Sequence, residues 1–554
     1  MPAQVSAKAP SKPRADELIQ QYEQQLSTRR NFESYWQTLH DYFYIESQDV
    51  NKTYSTGNEL DPSMLWDSTT LECSDVFASG FMNYLTPPTS KWARLRPRDK
   101  EYSSNKAIGG FLDDVMSEVN YALERSNFYD QMFPAYKSSG VYGTTAFFEE
   151  EDIEDDIRFY NIPLKQVVIV EDARGRVCKY YIEFEYTADQ AAGKWGEEAL
   201  SDHLKNELKE GKGAVNKHKF LLFIAERYAR EIQKEDKRNL PIEAVWIDVK
   251  GRMVIEESGY NEFPAFCHRF DKRPFVPWGF SPAMKALPFA RLLNAIAKTN
   301  LRTMMKHTDP PIAVPHNAFL APFNMNPRAI NVYKKDLMPD KGIFPFGNYG
   351  DPQTGLAAVE YYSGKVKTLM YQDVFLAFSN ITKDMNNPEI MERINEKMTM
   401  LGPAVGRYLD EVISPIIQRT IGILGRRGRL PDPPDEILLS GYEIDFVGVL
   451  AQAQRRAELN TLTTGLTMIG QMAQFSPEVL DKIDPDKVTD EVWSITGAPI
   501  KVLRDDDEVK QIREGRAEAA MKQQEMAEMH AGSEIAKNAG AAGKSMAEAQ
   551  GAKK

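Results

Sequence analysis

Seven histidines and three cysteines are the residues best suited to metal or nucleophilic chemistry, and their spacing argues against both. No histidine pair has the i, i+4 helical spacing of a zinc protease motif. No G-x-S-x-G elbow presents a serine, and Cys73, Cys178 and Cys267 are too scattered to define a nucleophile with its base. Cys267 and His268 are neighbours, and neighbours on a strand point to opposite faces, so a buried thiol beside a structural histidine is expected. Gly543-Lys544-Ser545 has the ending of a phosphate-binding loop. The first glycine of that loop is replaced by Asn538, and no apolar strand precedes it. No catalytic residue, metal site or cofactor is therefore expected, and the chain does not read as an enzyme.

Two charged stretches remain. Glu149 to Asp156 holds seven carboxylates in eight residues, enough oxygen to attract a hard cation. It lacks the glycine and the alternation of a calcium loop, so a solvated charge run is expected. The second stretch is Ser281 to Thr308, where Arg291, Lys298, Arg302 and Lys306 share one side of a helix and no Asp or Glu occurs. A solvated face is the common reading of such a pattern. An acid-free helix of about seven turns, in a chain with more acids than bases, favours instead a surface that meets phosphate or an acidic partner.

The elements that position these residues can be read in outline. Ser281-Pro282 signals a helix start, and Asp309-Pro310-Pro311 forbids continuation. Between them Leu287, Ala290, Leu293, Ala297, Leu301 and Met304 form an apolar stripe. A second helix is expected from Lys365 to Asn387, with Met370, Val374, Phe378, Ile381 and Met385 on one face. The intervening Asp309–Ser363 is rich in proline and long for a loop, which suggests a functional or interface element. A third helical run carries Ile394, Met398, Leu401, Val405, Leu409, Val412 and Ile416, and Pro403 and Pro415 should kink it.

Upstream, helices are expected over about 14–44, 64–85, 105–126 and 129–140, with Asp67 or Ser68 capping the second. From Gly143 to about Phe270 the chain turns to β-rich runs, interrupted by a polar helical insert near 187–210 and closed by a hairpin across Lys250-Gly251. Arg426-Arg427-Gly428-Arg429 and the following prolines read as a linker. A helix near 449, two short helices and a polar Glu/Lys/Gln/Ala stretch come next, fading after Gly532 into an Ala/Gly/Lys tail.

Composition sets the outer bounds. With 554 residues, about three or four domains fit. No apolar run reaches the roughly 18 residues of a membrane span, and no secretory signal is visible. Three scattered cysteines suit a reducing cytosol. A net charge of −12 argues against a general nucleic-acid coat but leaves room for a conduit in which DNA slides.

Taken in order, several of these stretches resemble the head-to-tail connector, or portal, proteins of short-tailed bacteriophages. They are Leu65-Trp66-Asp67-Ser68-Thr69 with Leu85-Thr86-Pro87-Pro88 and Trp92; Gly143-Thr144; Gly279-Phe280-Ser281-Pro282 with Asp309-Pro310-Pro311; Glu392-Arg393 with Leu401-Gly402-Pro403; and Leu450 to Ala457 with Pro477-Glu478 and Leu503-Arg504. The match runs over about 14–520. Arg269-Phe270, Trp278-Gly279 and Asn386-Asn387-Pro388-Glu389 depart from the pattern.

The resemblance implies an α+β, mainly helical portal fold assembled as a ring of twelve subunits at a capsid vertex, with double-stranded DNA passing along its axis. It divides the chain into a disordered lead (1–13), a helical wing (14–142) and a β-rich wing (143–278). A stem helix (279–308), a clip (309–363) and a second stem helix (364–385) come after these. A tunnel loop with a kinked wing helix (386–446), a crown (447–530) and a disordered tail (531–554) complete it. Arg291, Lys298, Arg302 and Lys306 then belong to a stem that lines the channel or meets the next subunit. Lys383, Asp384, Asn386, Asn387, Glu389 and Arg393 belong to the tunnel loop. Lys334, Lys335 and Lys341 belong to a clip that docks motor and adaptor. The implied partners are further copies of the chain, DNA held without sequence readout, the terminase motor, tail adaptors, and major capsid and scaffolding proteins, with no membrane. The implied location is the virion, after assembly in the host cytoplasm. The competing reading is a tail adaptor or assembly scaffold that encloses no DNA.

Overall fold

The strands of the largest sheet run apolar without alternating because both faces of that sheet are covered. Phe220, Leu222 and Ile224 point into one core, Leu221 and Phe223 into another, and all five are buried. The computed structural model describes residues 12–46, 65–99, 102, 105–228, 230–231, 236–308, 312–313, 344–345, 351–381, 401–434, 441–447, 449–473, 477–496, 504, 508–523, 526 and 537. The architecture is α+β, and the chain divides into two compact units.

The first unit comprises 1–93, 115–430 and 446–450. It opens with α1 (Lys12–Phe43) and α2 (Thr69–Leu85), and α4 (Phe128–Tyr142) follows α3 (Lys106–Arg125). Asp67, rather than Ser68, caps α2: its carboxylate accepts from Thr69 N at 2.9 Å, while the Ser68 hydroxyl donates to Glu72. Next come β2 (Thr144–Asp152) and β3 (Asp156–Ile162), which join β9 (Ala265–Arg269) in a three-stranded antiparallel sheet, order β3-β2-β9. The larger sheet takes β4 (Val167–Glu171), β5 (Val177–Thr187), β6 (Lys217–Glu226), β7 (Ile242–Asp248) and β8 (Met253–Tyr260), antiparallel in sequence order. The polar insert forms α5 (Ala188–Trp195) and α6 (Asp202–Lys209), with Thr187 and Gln190 closing a capping box.

α1 serves both faces of the large sheet. Ala15, Leu18, Ile19 and Tyr22 cover the face formed by Val168, Tyr181, Leu221, Phe223, Val245 and Ile247. Trp36, Leu39 and Phe43 enter the main core with the residues of the opposite face. Between these contacts, buried Arg29 donates to the carbonyls of Leu164 and Val167.

Cys267 and His268 are both buried on β9, as alternation on a strand predicts. The His268 ring lies 4.4 Å from that of Tyr408. Glu411, its nearest carboxylate, is held by the guanidinium of Arg269. Burial, then the charges of Arg407 and Arg269, hold the histidine well below its ordinary value, so it is neutral when folded. The unfolded chain protonates it below about pH 6.5, so its share of stability is present above that pH and is lost as pH falls. Between pH 7 and pH 5 wild type should lose about 2 kcal/mol more unfolding free energy than His268→Phe, measured by denaturant titration. Equal losses in the two proteins would refute this.

Downstream of the sheets, β10 (Asp271–Lys272) pairs with β11 (Gly279–Phe280) and delivers the chain into α7 (Pro282–Thr308). The second helix of the pair does not start at Lys365. It starts at Pro352, where Asp351 accepts from Gln353 N at 3.0 Å, so the segment after α7 is shorter than expected. This helix, α8 (Pro352–Leu369), runs antiparallel to α7: Gly355 lies against Asn300, and Phe289 against Tyr362. It also stops well short of Asn387. Tyr371 takes a left-handed backbone (φ 58) and separates α8 from α9 (Gln372–Ile381).

In the third run the helix departs from regular α geometry just before Pro415. Pro415 cannot donate to the carbonyl of Glu411, and a π-helical turn at Leu409–Ile413 precedes the helix Ser414–Arg426. The second unit comprises 94–114, 431–445 and 451–554. In it β1 (Ala93–Pro97) pairs with the strand Tyr442–Phe446, and Asp445 takes ion pairs from Arg94 (2.6 Å) and Arg96 (2.5 Å). The helices Val449–Ala473 and Pro485–Thr496 come next, the latter capped by Asp484.

Candidate functional site

The base of α7 is set by backbone contact that only glycine allows. Gly143 ends α4 with φ 77, and its carbonyl accepts from Phe270 N at 2.8 Å. Gly279 lies so close that a Cβ on it would run into the Gly143 carbonyl and the backbone of Arg269 and Phe270. Thr144 Oγ1 accepts from Gly279 N at 2.9 Å. Ser281 then caps α7: its hydroxyl donates to Val141 O (2.6 Å) and accepts from Met284 N (3.0 Å). Two glycines, a threonine and a serine thus weld the helix start to the end of α4.

From that base the apolar stripe behaves differently along its length. Leu287, Ala290 and Leu293 are buried in the main core. Further out, Leu301 is 39% exposed and Met305 58%, with Leu292 (47%) also open. The stripe expected to pack throughout is covered only in its first half, because beyond Leu293 the neighbouring helix α8 shields one side alone.

The four basic positions occupy the face opposite the core. Arg291, Arg302 and Lys306 are exposed, and Lys298 is half-buried. The Lys298 ammonium sits 5.1 Å from the centre of the Trp66 indole, whose backbone N–H donates to Asn294 at 2.7 Å. Arg291 lies near Tyr35, whose hydroxyl donates to Met284 O at 3.4 Å. Burial raises the Tyr35 hydroxyl, while Arg291 and Arg273 pull it down, which places both cations on the Tyr35 side of the helix. Among the described residues no carboxylate pairs with Arg291, Lys298 or Arg302. The Trp66 contact was not foreseen; an aromatic flanked by turn residues, far along the chain, offers no local sign of its partner.

The other expected site residues cannot be placed. Lys383, Asp384, Asn386, Asn387, Glu389 and Arg393 lie outside the described residues, as do Lys334, Lys335 and Lys341.

The acidic run is solvated only in its middle, where Glu151 and Glu154 are exposed; its two ends, Glu149 and Asp156, are buried. Glu149 is buried, with Thr420 Oγ1 donating to it at 3.1 Å and Arg419 Nε 3.9 Å away. Glu151 pairs with Arg426 at 2.8 Å, and Asp156 with Arg427 at 2.8 Å and Arg429 at 3.4 Å. The arginines read as a linker are therefore a clamp that neutralises this run. Arginine suits the task because its fork can bond carboxylate and carbonyl together, as Arg427 does with Asp156 and Asp152 O. Partners some 270 residues apart are invisible to local pattern.

One polar cluster escaped the sequence reading. The Ser201 hydroxyl contacts His203 Nδ1 at 2.9 Å and donates to buried Asp248 at 2.5 Å, while His218 Nε2 meets Glu207 at 2.7 Å. Aspartate and serine both face the same nitrogen of His203, so no relay from carboxylate through imidazole to hydroxyl exists here. Among the described residues no three His, Cys, Asp or Glu side chains gather as metal ligands. Among them also no helix is long and apolar enough to cross a membrane.

Comparison with known proteins gives the family. The chain matches the family model for bacteriophage head to tail connecting protein over residues 15–503. It is 28% identical over 537 residues to the portal protein of Salmonella phage epsilon15, covering 94% of each chain. It is 27% identical over 535 residues to the probable portal protein of Bordetella phage BPP-1, covering 94% of this chain and 95% of that one.

Proposed function

We propose, from the premise that this chain belongs to the family of bacteriophage head to tail connecting proteins, how it carries out the portal function of that family. Copies of the chain close into a ring, twelve in number by the family resemblance, at one vertex of the capsid. Double-stranded DNA passes along the axis during packaging and ejection. The α7–α8 pair forms the stem of that ring. The chain acts as a passive conduit without catalysis, and the terminase motor supplies the work. The segment after α7 carries the clip, with Lys334, Lys335 and Lys341 toward motor and adaptor. The tunnel loop at 383–393 narrows the channel, and the location is the virion.

The observation that carries this reading is the outer half of α7. It leaves its core with Leu301 and Met305 uncovered, and Arg291 and Arg302 face no carboxylate among the described residues. A surface that is both apolar and basic fits an acidic neighbour in a ring, where one face meets a different face of the next copy. Weak phosphate contacts from the same cations can guide DNA without arresting it.

Negative-stain electron microscopy of the full chain, with solution mass alongside, tests the reading directly. A ring with an open axial channel supports it; rods or small closed adaptors with no channel refute it. Lys298→Glu with Arg302→Glu should leave the protomer folded, costing about 1 kcal/mol for the lost indole contact, yet impair ring assembly or packaging. Normal rings that package normal amounts of DNA would remove α7 from the account.

A further inference from the structure

We infer that Phe275 is a preformed anchor that inserts into an apolar site on a second copy of this chain. The inference rests on the ring reading above and names a contact residue for it. Phe275 is fully exposed (101%), the most exposed large apolar side chain among the described residues. It also carries a left-handed backbone, with φ 63. Val276 N donates to Arg273 O at 3.3 Å, which closes a four-residue turn with Pro274 second and Phe275 third. Proline suits the second position of such a turn, and its third position, with φ above zero, is the place for glycine or asparagine. A phenylalanine there is strained, and in the lone protomer its ring gains nothing in return.

Everything around the ring is fixed. Asp271 pairs with Phe280 and Lys272 with Gly279 in the short ladder beneath the turn. The Lys272 ammonium is held by Glu171 (2.8 Å) and Gly175 O (2.7 Å), and the Arg273 guanidinium lies 3.7 Å over the Phe280 ring. Val276 is half-buried against the main core, and Trp278 is buried against Trp36 with ring centres 4.9 Å apart. Phe275 is the exposed large apolar side chain of this hairpin, on a support that does not need to be ordered on binding. Rigid aromatic side chains of this kind dominate interface energies, because little rotamer freedom is lost when they dock.

The choice of a second copy follows from charge and continuity. The Arg273 guanidinium lies over Phe280, which precedes the Ser281 cap of α7, so the turn adjoins the first turns of the helix that carries the basic face. That side lacks acids, whereas the whole chain carries a net −12, so charge favours another copy of the chain as its partner. A ring supplies such face-to-different-face contact at every interface.

The test compares full-length wild type, Phe275→Gly and Phe275→Ala by native mass spectrometry with capsid and scaffolding proteins present for assembly, and by thermal melting of each protein alone at a dilution where it is monomeric. Glycine relieves the turn, so Phe275→Gly should melt no lower than wild type while its association weakens roughly 30-fold or more. Phe275→Ala, which keeps the backbone strain, should lose association similarly and melt no higher than the glycine variant. A Phe275→Gly protein that assembles as wild type, or that melts well below it, overturns the anchor. Normal rings that fail only to join a capsid or tail protein overturn the choice of a second copy. A wild type that never closes into rings instead refutes the ring reading itself.

Discussion

Replacing Arg419 with methionine should lower the stability of the first unit by about 3 kcal/mol, the scale expected when a buried charged donor is taken from the carbonyls it satisfies. Arg419 is fully buried, with Nε donating to Glu149 O at 3.3 Å and Nη1 to Glu262 O at 3.1 Å. Methionine fills much of the volume but leaves two carbonyls without their donor and Glu149 with Thr420 alone. Burial pushes Glu149 up to about 8 even against the attraction of Arg419. A carboxyl raised in this way favours the folded state fully below the ordinary range near 4.5, and the advantage is lost as pH rises through 8. The Arg419→Met protein should therefore weaken more steeply than wild type toward alkaline pH. Denaturant unfolding followed by the emission of buried Trp36 and Trp278 reads the loss. Adding Glu149→Gln to Arg419→Met should recover part of it, and no recovery would show that the charge is not the cause.

Gly279→Ala should cost about 3 kcal/mol or more, although it adds a single methyl group. The obstacle is backbone on every side: the Gly143 carbonyl, Arg269 Cα and Phe270 N, none of which can swing aside like a flexible side chain. Relief requires α4 and the start of α7 to part, breaking the bonds through Thr144 and Ser281. Loss of helix α7 packing should appear as a lower melting temperature and as protease cutting near Pro282. A variant that melts within about two degrees of wild type would show that the two glycines are not in contact in solution.

Local signals in the sequence account for much of this architecture. Ser281-Pro282 marked the start of α7, and the proline rule put a kink at Pro415, where a π turn absorbs the missing donor. The same rule applied to Asp351-Pro352 would have found α8; the weight given to a proline-rich insert hid it. Tyr371 could not be foreseen, because left-handed backbone at a tyrosine has no compositional sign. The acidic run misled for a further reason: a carboxylate is expected in water unless a cation is known to wait for it, and Arg419 to Arg429 reach it only through the fold. The basic face of α7 was legible as a pattern, but what it meets outside the protomer is not written in the chain's own sequence.

α1 has a mechanical meaning beyond its packing. Its first half closes one side of the five-stranded sheet and its second half enters the core on the other side, with Arg29 bolting the crossing point to two carbonyls. A strap of this kind cannot be peeled from one side alone. A pull that lifts its first turns is resisted at once by Trp36, Leu39 and Phe43 in the opposite layer, so the sheet and its two coverings yield as a single body. Strain arriving at α7, which shares that core, is thus passed to a layered body that either holds its shape or fails whole.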